Sequence, residues 1–519
     1  MYLSQCVKRA AQVSGNQPAS KFGSRTTTWN QFKSRIQCLA GGMQQLGLSL
    51  GDRAAVLSLN SNRYLELFFA IPWAGAVVVP INIRLAAPEI LFTLNDSETE
   101  LLVVDDAFAQ MLPALEGKMN TVKNIIFAGE GETPKGCINY EELIAKSKPV
   151  EDAERGGDDI AGLFYTGGTT GRSKGVMLTH DNLVSNALNV TPFMKFDETS
   201  VYLHVAPMFH LADCASTFAL TMAAGTHTFL PKFDPQETLQ IIQDKDVSVC
   251  LLVPTMVNML VNFPDIGNYD MSSLKTILYG ASPMPEAVLL RAMELFPNCE
   301  FKQGYGMTET SPVMTFLDSK YHVTEGPNSG KLKSAGCAAY GVEILVVDEN
   351  DKELPRGEVG EVIARGPNVM QGYWKMPEVT AETLRNGWMH TGDMAYMDDE
   401  GFIYIVDRNK DMIISGGENV YSTETEQAVY QHSAVQECAV IGIPHKEWGE
   451  LVHAVVVFKP GQTATEDELK AHCASLIAGF KCPRSWEFRA EPLPMSGAGK
   501  ILKTELRAPY WGDKNKGVN

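Results

Sequence analysis

The 519-residue chain predicts an α/β fold with a large first unit and a smaller second one. Three observations carry this. Short apolar runs alternate with helix-spaced stretches over most of the chain. Many of those runs stop at glycine, proline or polar turns, where open α/β sheets bind ligands. After about residue 340 the texture changes to strands joined by polar turns, followed by a compact final segment.

The elements follow in order. TTTWNQFKSRIQCLAGGMQQLG (26–47) has helical spacing and stops at glycine. RAAVLSL (53–59) and GAVVVPIN (75–82) are short apolar runs suited to buried strands. LLVVDD (101–106), NIIFAG (124–129), AGLFYTGG (161–168), VSVCLLVPT (247–255), TILYGAS (276–282) and EFKQGYG (300–306) continue the pattern. Interleaved helices imply a mixed or parallel sheet covered on both faces. VEILVVDENDKEL (342–354) and GFIYIVDRNKDMI (401–413) predict strands with polar turns, and DDEG (398–401) a hairpin turn. QECAVIGIP (436–444) and HAVVVFKP (453–460) predict strands, and TEDELKAHCASLIAGF (465–480) a helix with Thr465 and Glu468 spaced as a capping box. The charged break DRNKD (407–411) places a boundary between residues 1–407 and 408–519.

Composition narrows the function. A net charge of -18 argues against broad contact with nucleic acid or an anionic membrane. That charge is concentrated before residue 408, since the remainder holds 13 Lys+Arg against 14 Asp+Glu. From Lys481 onward 8 basic residues face 4 acidic ones, either a solvated tail or a basic segment that meets a polyanion. The ten cysteines form no CxxC pair, which suits reduced thiols and a cytoplasmic protein. The first residues lack a signal-peptide core, and no run approaches 18 uninterrupted apolar residues, so no membrane span is expected.

The stretch YTGGTTGRSKG (165–175) carries the first chemical signal. A strand ends in a loop of glycines, two threonines and a lysine, with a helix expected at THDNLVSNAL (179–188). Glycines let backbone N–H groups approach a ligand. With two hydroxyls and a lysine they form an anion cradle. It is not a Walker A loop, because Lys174 comes three residues after Gly171 and is followed by Gly175.

Here the chain resembles the adenylate-forming enzymes: acyl-CoA synthetases, luciferases and peptide-synthetase adenylation domains. GASPMPE (280–286), QGYGMTET (303–310), GWMHTGD (387–393), DRNKDMIISGGENVY (407–421) and SGAGKILK (496–503) follow in the family's order. Two positions depart from its loop, Gly167 for the usual serine and Ser173 for the usual proline. The resemblance implies a large N-terminal domain of several mixed or parallel sheets with helices, 1–407, and a small mobile α+β C-terminal domain, 408–519, hinged near Lys410.

It also implies the reaction. A carboxylate attacks the α-phosphate of ATP, giving acyl-AMP and pyrophosphate; a thiol, usually of coenzyme A, then displaces AMP. The first step brings two anions together, so preorganised positive groups and N–H donors are its main lever, each worth about 10²–10³ in rate. By the resemblance, Thr166, Gly167, Gly168, Thr169, Thr170, Gly171 and Lys174 hold the phosphates. Thr169 and Glu309 bind Mg²⁺, as hard cations prefer oxygen. Thr308 bonds the α-phosphate, and Lys500 bridges carboxylate and phosphate. Gly280, Ala281, Gly304, Tyr305, Gly306 and Met307 line the adenine site, while Asp393, Ile405 and Arg408 meet the ribose. Gly416, Gly417, Trp448, Phe480 and Lys481 are expected near coenzyme A. Phe209, His210, Pro254, Thr255 and Ala281 border the acyl group.

The expected function is an ATP-, Mg²⁺- and coenzyme A-using acyl-CoA synthetase for a hydrophobic carboxylic acid. A medium- to long-chain fatty acid is the first choice and a benzoate- or hydroxycinnamate-type acid the second. A stand-alone adenylation enzyme loading a separate carrier protein is the other reading, since no carrier domain follows Asn519. A non-catalytic acyl or nucleotide sensor fits poorly with Lys174, Glu309, Asp393 and Lys500 together. The expected partners are a small acid and coenzyme A, without nucleic acid or an integral membrane segment, and a homodimer is admissible. His204 and His210 lack a zinc-spaced partner, and there is no GxSxG elbow.

Overall fold

The computed structural model describes residues 1–166, 173–408, 411–416, 418–446, 448–497 and 499–511. Of the expected site residues, Gly167, Gly168, Thr169, Thr170, Gly171, Lys410 and Gly417 lie outside the described residues.

Among the described residues the strands form four main sheets. A nine-stranded sheet has a parallel centre, in which Val201–His204, Thr226–Phe229, Val249–Leu252, Thr276–Gly280 and Glu300–Gly306 are adjacent. An eight-stranded sheet is likewise parallel through Arg53–Leu57, Val77–Pro80, Thr99–Val104 and Asn124–Phe127. The helix Asn62–Trp73 lies in the core shared by both, and every one of its residues is buried. Its charged members are paired, Glu66 with Arg35 and Arg63 with Glu141, which lets a helix with polar residues sit there. These apolar β-runs lack strict alternation because parallel strands are covered on both faces.

The texture change after residue 340 is an antiparallel four-stranded sheet of Glu343–Val347, Gly360–Arg365, Met389–Met397 and Ile403–Arg408. Beyond it, Val435–His445 and Gly449–Phe458 anchor a five-stranded sheet. Its two faces are read directly from period-2 alternation. Cys438, Val440, Val452, Ala454 and Val456 enter one apolar cluster, while Ala439, Ile441, Val455 and Val457 enter another. The helices Ser422–Tyr430 and Glu466–Ala474 cover the first face, and Lys503–Trp511 the second.

The helix expected at 179–188 is present, but a strand that the sequence reading did not include precedes it, and one expected helix is shorter than its predicted range. Lys174–Thr179 is a strand, antiparallel to Ile160–Thr166, and only then does the helix His180–Met194 begin. The run KGVMLT is short and apolar, and its strand character was hidden by the glycine-rich loop beside it. The helix at 465–480 ends at Ala474, although its capping box forms as expected.

No helix among the described residues is long and apolar enough to cross a membrane. The ten cysteines are all unpaired.

One buried side chain ties the large sheets together where their strands end. Asn60 donates to the carbonyls of His204, Ala206 and Leu230 (3.1, 2.9 and 3.2 Å) and accepts from the Met208 amide (2.8 Å). It fixes the 205–210 segment against the eight-stranded sheet. Asn60→Ala removes these buried hydrogen bonds together, so a loss of about 2–4 kcal/mol is expected. Urea unfolding followed by tryptophan fluorescence checks this; an unchanged midpoint would contradict it.

Candidate active site

The ends of these strands converge on a cavity of about 1420 Å³. Its floor needs glycine. A Cβ at Gly280 would lie 2.2 Å from the carbonyl oxygen of Gly304, so only glycine lets the two paired strand ends run this close. Ala281 follows in the left-handed region at φ 67°, a strained conformation of the sort that collects at functional sites.

Most of the expected residues line this one cavity. Thr166, Lys174, Phe209, His210, Pro254, Thr255, Gly280, Ala281 and the run 304–309 do so, as do Asp393, Ile405, Arg408 and Lys500. Tyr305 donates its hydroxyl to Asp393 Oδ2 at 2.8 Å, and Arg408 Nε lies 3.5 Å from Asp393 Oδ1. Burial, then the Asp393 charge, holds the Tyr305 hydroxyl well above its ordinary value, so it stays a donor. The expected coenzyme A residues are elsewhere. Gly416, at φ 63°, faces the Trp448 ring, and Trp448 stacks on the Arg484 guanidinium at 3.7 Å. Lys481 pairs with Glu424 at 2.8 Å and lies over the Phe480 ring. None of these four lines the cavity.

Lys500 reaches the cavity on a tight turn. The Ser496 amide donates to the Lys500 carbonyl (2.7 Å), and the Lys500 amide donates to Ser496 Oγ (3.1 Å). The turn is seated on the first unit. Arg84 donates to the Ser496 carbonyl (2.7 Å) and Thr255 to that of Gly499 (3.2 Å). A Cβ at Gly497 would lie within 2.3–2.7 Å of the Asn82 side chain. The glycines of SGAGK therefore permit contact between the units.

Two residues carry electrostatic consequences missed in the sequence. Tyr373 donates to Glu309 Oε1 at 2.7 Å, and Lys174 Nζ sits 4.3 Å above its ring. One tyrosine thus orients the loop lysine and the acidic side chain, and burial raises its hydroxyl pKa far above the ordinary value. Its signal was only the GY of QGYW, which spacing cannot distinguish from a turn. The second is the state of His210. It caps the helix Leu211–Ala223, and Nδ1 accepts from the Ala212 amide at 3.2 Å. A neutral ring accepting at Nδ1 carries its proton on Nε2.

Comparisons with known proteins give the family. The family model described as AMP-binding enzyme matches residues 7–374, and the AMP-binding enzyme C-terminal domain matches 424–500. The chain belongs to the AMP-binding enzymes. The chain is 39% identical to a feruloyl-CoA synthase of Amycolatopsis sp, over 97% of this chain and 98% of that protein. It is 35% identical to the fatty acid–[acyl-carrier-protein] ligase ScoC of Streptomyces coeruleorubidus, over 100% and 98%. Among solved structures, the anthranilate CoA ligase AuaEII in complex with anthranoyl-AMP superposes with a TM-score of 0.91 at 26% identity, covering 98% of this chain and 97% of that one.

This AMP-binding enzyme is an AMP-forming acid–thiol ligase with ATP, Mg²⁺ and coenzyme A as its reactants and metal. The site fits them. Asp393 presents a carboxylate beside the glycine floor, while Lys174, Arg408 and Lys500 bring positive charge. Among the described residues no cluster of three or more His, Cys, Asp or Glu could hold a resident metal. The Glu309 carboxylate in the cavity wall suits Mg²⁺ that arrives on phosphate oxygens.

Burial first, and then the Lys500 charge, push the His210 pKa down to about 3. Because the unfolded value is about 6.5, the unfolded chain binds the extra proton, so the contribution of neutral His210 to stability is full above about pH 6.5 and declines as pH falls. NMR of histidine-labelled enzyme is expected to show this ring uncharged from about pH 5 to pH 8. A resonance titrating in that range and lost in His210→Gln would contradict this.

Proposed function

We propose that this ligase activates an aromatic carboxylic acid of the hydroxycinnamate class and passes it to coenzyme A. One observation carries the preference over a fatty acid. Past His210, the cavity meets Val190, Leu251 and Leu278, side chains that belong to the buried core and are at most 5% exposed. A slot floored by the core supports a short rigid acid over a long flexible chain. On the helix behind His210, Ala212, Ala215 and Ser216 line the slot and leave width for a ring. The identity to a feruloyl-CoA synthase agrees with this. The likeness to ScoC keeps a fatty acid and a carrier protein as the second reading.

The residues divide the work. Neutral His210 offers Nε2–H to the carboxylate end of the acid without adding charge. Asp393 accepts from the ribose, and Tyr305 presents its ring to the base. Lys174 and Thr166 meet the leaving phosphates, joined by the loop residues up to Gly171. Glu309 would hold Mg²⁺ that arrives with the phosphates, and the ion would supply charge neutralisation at the pyrophosphate. Thr308 donates to the α-phosphate. Lys500 brings its charge between carboxylate and α-phosphorus, where two anions meet. For the second step the unit 408–519 turns about Lys410, withdrawing Lys500 and bringing the Gly416–Gly417 and Trp448 region to the site. The unpaired cysteines support a cytoplasmic setting.

A pyrophosphate-release assay over a panel of acids, with and without coenzyme A, tests the substrate. Hydroxycinnamates are expected to exceed C12–C16 fatty acids in kcat/KM by about tenfold or more, roughly 1.4 kcal/mol of differential binding. Preference for long-chain acids would reject the aromatic reading. Release that requires a carrier protein and is insensitive to coenzyme A would reject the acceptor.

A further inference from the structure

Three residues past Lys500, Lys503 opens the helix Lys503–Trp511 with its side chain only 17% exposed. Its ammonium donates to Ser422 Oγ at 2.6 Å and pairs with Glu426 Oε1 at 2.7 Å. Glu426 is held in turn by the Val440 amide at 2.8 Å. The Ser422 amide donates to Asp407 Oδ2 at 2.6 Å, and the Arg408 amide donates to Asp407 Oδ1 at 2.8 Å. Asp407 ends the strand Ile403–Arg408, whose Arg408 pairs across the sheet with Asp393. Asp411, two positions before Ile413, is ion-paired with Arg507 on the same helix as Lys503.

These contacts form a continuous path from the turn bearing Lys500 to the strand bearing Arg408. They join the two sides of 407–411, where the small unit meets the large one. A lysine this buried is stable as an ion only because carboxylates surround it. Asp407, Glu426 and Asp411 supply that charge, with Lys503 and Arg507 as their cations. The arrangement is directional, because Asp407 lies on the near side of 408 while Ser422, Glu426 and Lys503 lie on the far side.

We propose that Lys503 is a positioning residue for the first half-reaction: by tying Ser422 and Glu426 to Asp407, it sets the register of the Lys500 turn against the Asp393–Arg408 strand. The inference rests on Lys500 acting in adenylation. Turning of 408–519 about Lys410 separates Ser422 from Asp407, so the tie acts in acyl-adenylate formation and is dispensable in thiol transfer. Removing it lets the Lys500 turn drift from its seat on Arg84 and Thr255.

The experiment measures both half-reactions in the full-length chain. They are pyrophosphate release with a turned-over acid, and thioester formation from supplied acyl-AMP and coenzyme A. The variants are Lys503→Met, Lys503→Arg and Lys500→Ala. Because a displaced reacting group costs about 10²-fold, Lys503→Met is expected to lose roughly that factor in acyl-adenylate formation and to retain transfer. Lys503→Arg, which keeps the charge, is expected to recover most of the rate. Hydrogen exchange of the 496–502 amides is expected to quicken in Lys503→Met and not in Lys503→Arg. If Lys503→Met does not fold, Lys503→Met with Glu426→Gln removes both charges and is measured in its place. Equal loss in both half-reactions, or undiminished adenylation with Lys500→Ala inactive, overturns the proposal for Lys503. Undiminished adenylation in Lys500→Ala shows that the role of Lys500 itself has failed, and the proposal for Lys503 falls with it.

Discussion

A carboxylate and a triphosphate repel each other, and everything in this chain's site answers that repulsion. In the proposed mechanism positive charge arrives at the α-phosphorus and leaves again, because a cation fixed there would also bar the thiol. The chain solves this by splitting its lysines. Lys174 belongs to a strand of the large unit, and in the proposed mechanism it stays with the phosphates. Lys500 stands more than 300 residues away on a turn that only docks. Arg84, Thr255 and the Gly497–Asn82 contact make the dock, and all three act through short backbone or glycine-dependent approaches. Such contacts are specific in geometry but bury little apolar area, as the proposed making and breaking of this seat requires.

The low charge on His210 belongs to the same economy. A protonated imidazole beside Lys500 would repel the lysine needed there. Its environment keeps it a neutral donor. Tyr373 performs the complementary service on the other wall, orienting Lys174 through its ring and Glu309 through its hydroxyl.

Much of this was legible in the sequence because it rests on local patterns. The parallel strands announced themselves as apolar runs ending in glycine, and the small sheet by alternation that sorts Val440 and Val456 from Ile441 and Val455. The motifs from 280 to 310 and around 393, 408 and 500 do converge on one cavity. What stayed hidden depends on pairings across long separations. Asn60 gains its meaning only when 204, 206, 208 and 230 arrive beside it. Tyr373 meets Glu309 and Lys174 because the short edge strand Gly372–Tyr373 pairs with Lys174–Thr179, a strand that the glycine loop disguised. Lys503 resembled any helix-start lysine until Ser422, Glu426 and Asp407 closed around it. The substrate was least legible, because the slot's depth depends on which apolar side chains of the core face inward.

The dock itself is the most direct test. Asn82→Cys with Gly497→Cys places two thiols where a Cβ at 497 already lies 2.7 Å from the Asn82 Cγ, close enough for a disulfide. Oxidation would hold the Lys500 turn on the large unit. The oxidised enzyme is expected to form one equivalent of acyl-AMP and stop, with thioester formation restored by reductant, while Asn82→Cys alone responds to neither treatment. Full thioester turnover in the oxidised enzyme, or no acyl-AMP at all, would contradict a lysine that must dock for the first step and depart for the second.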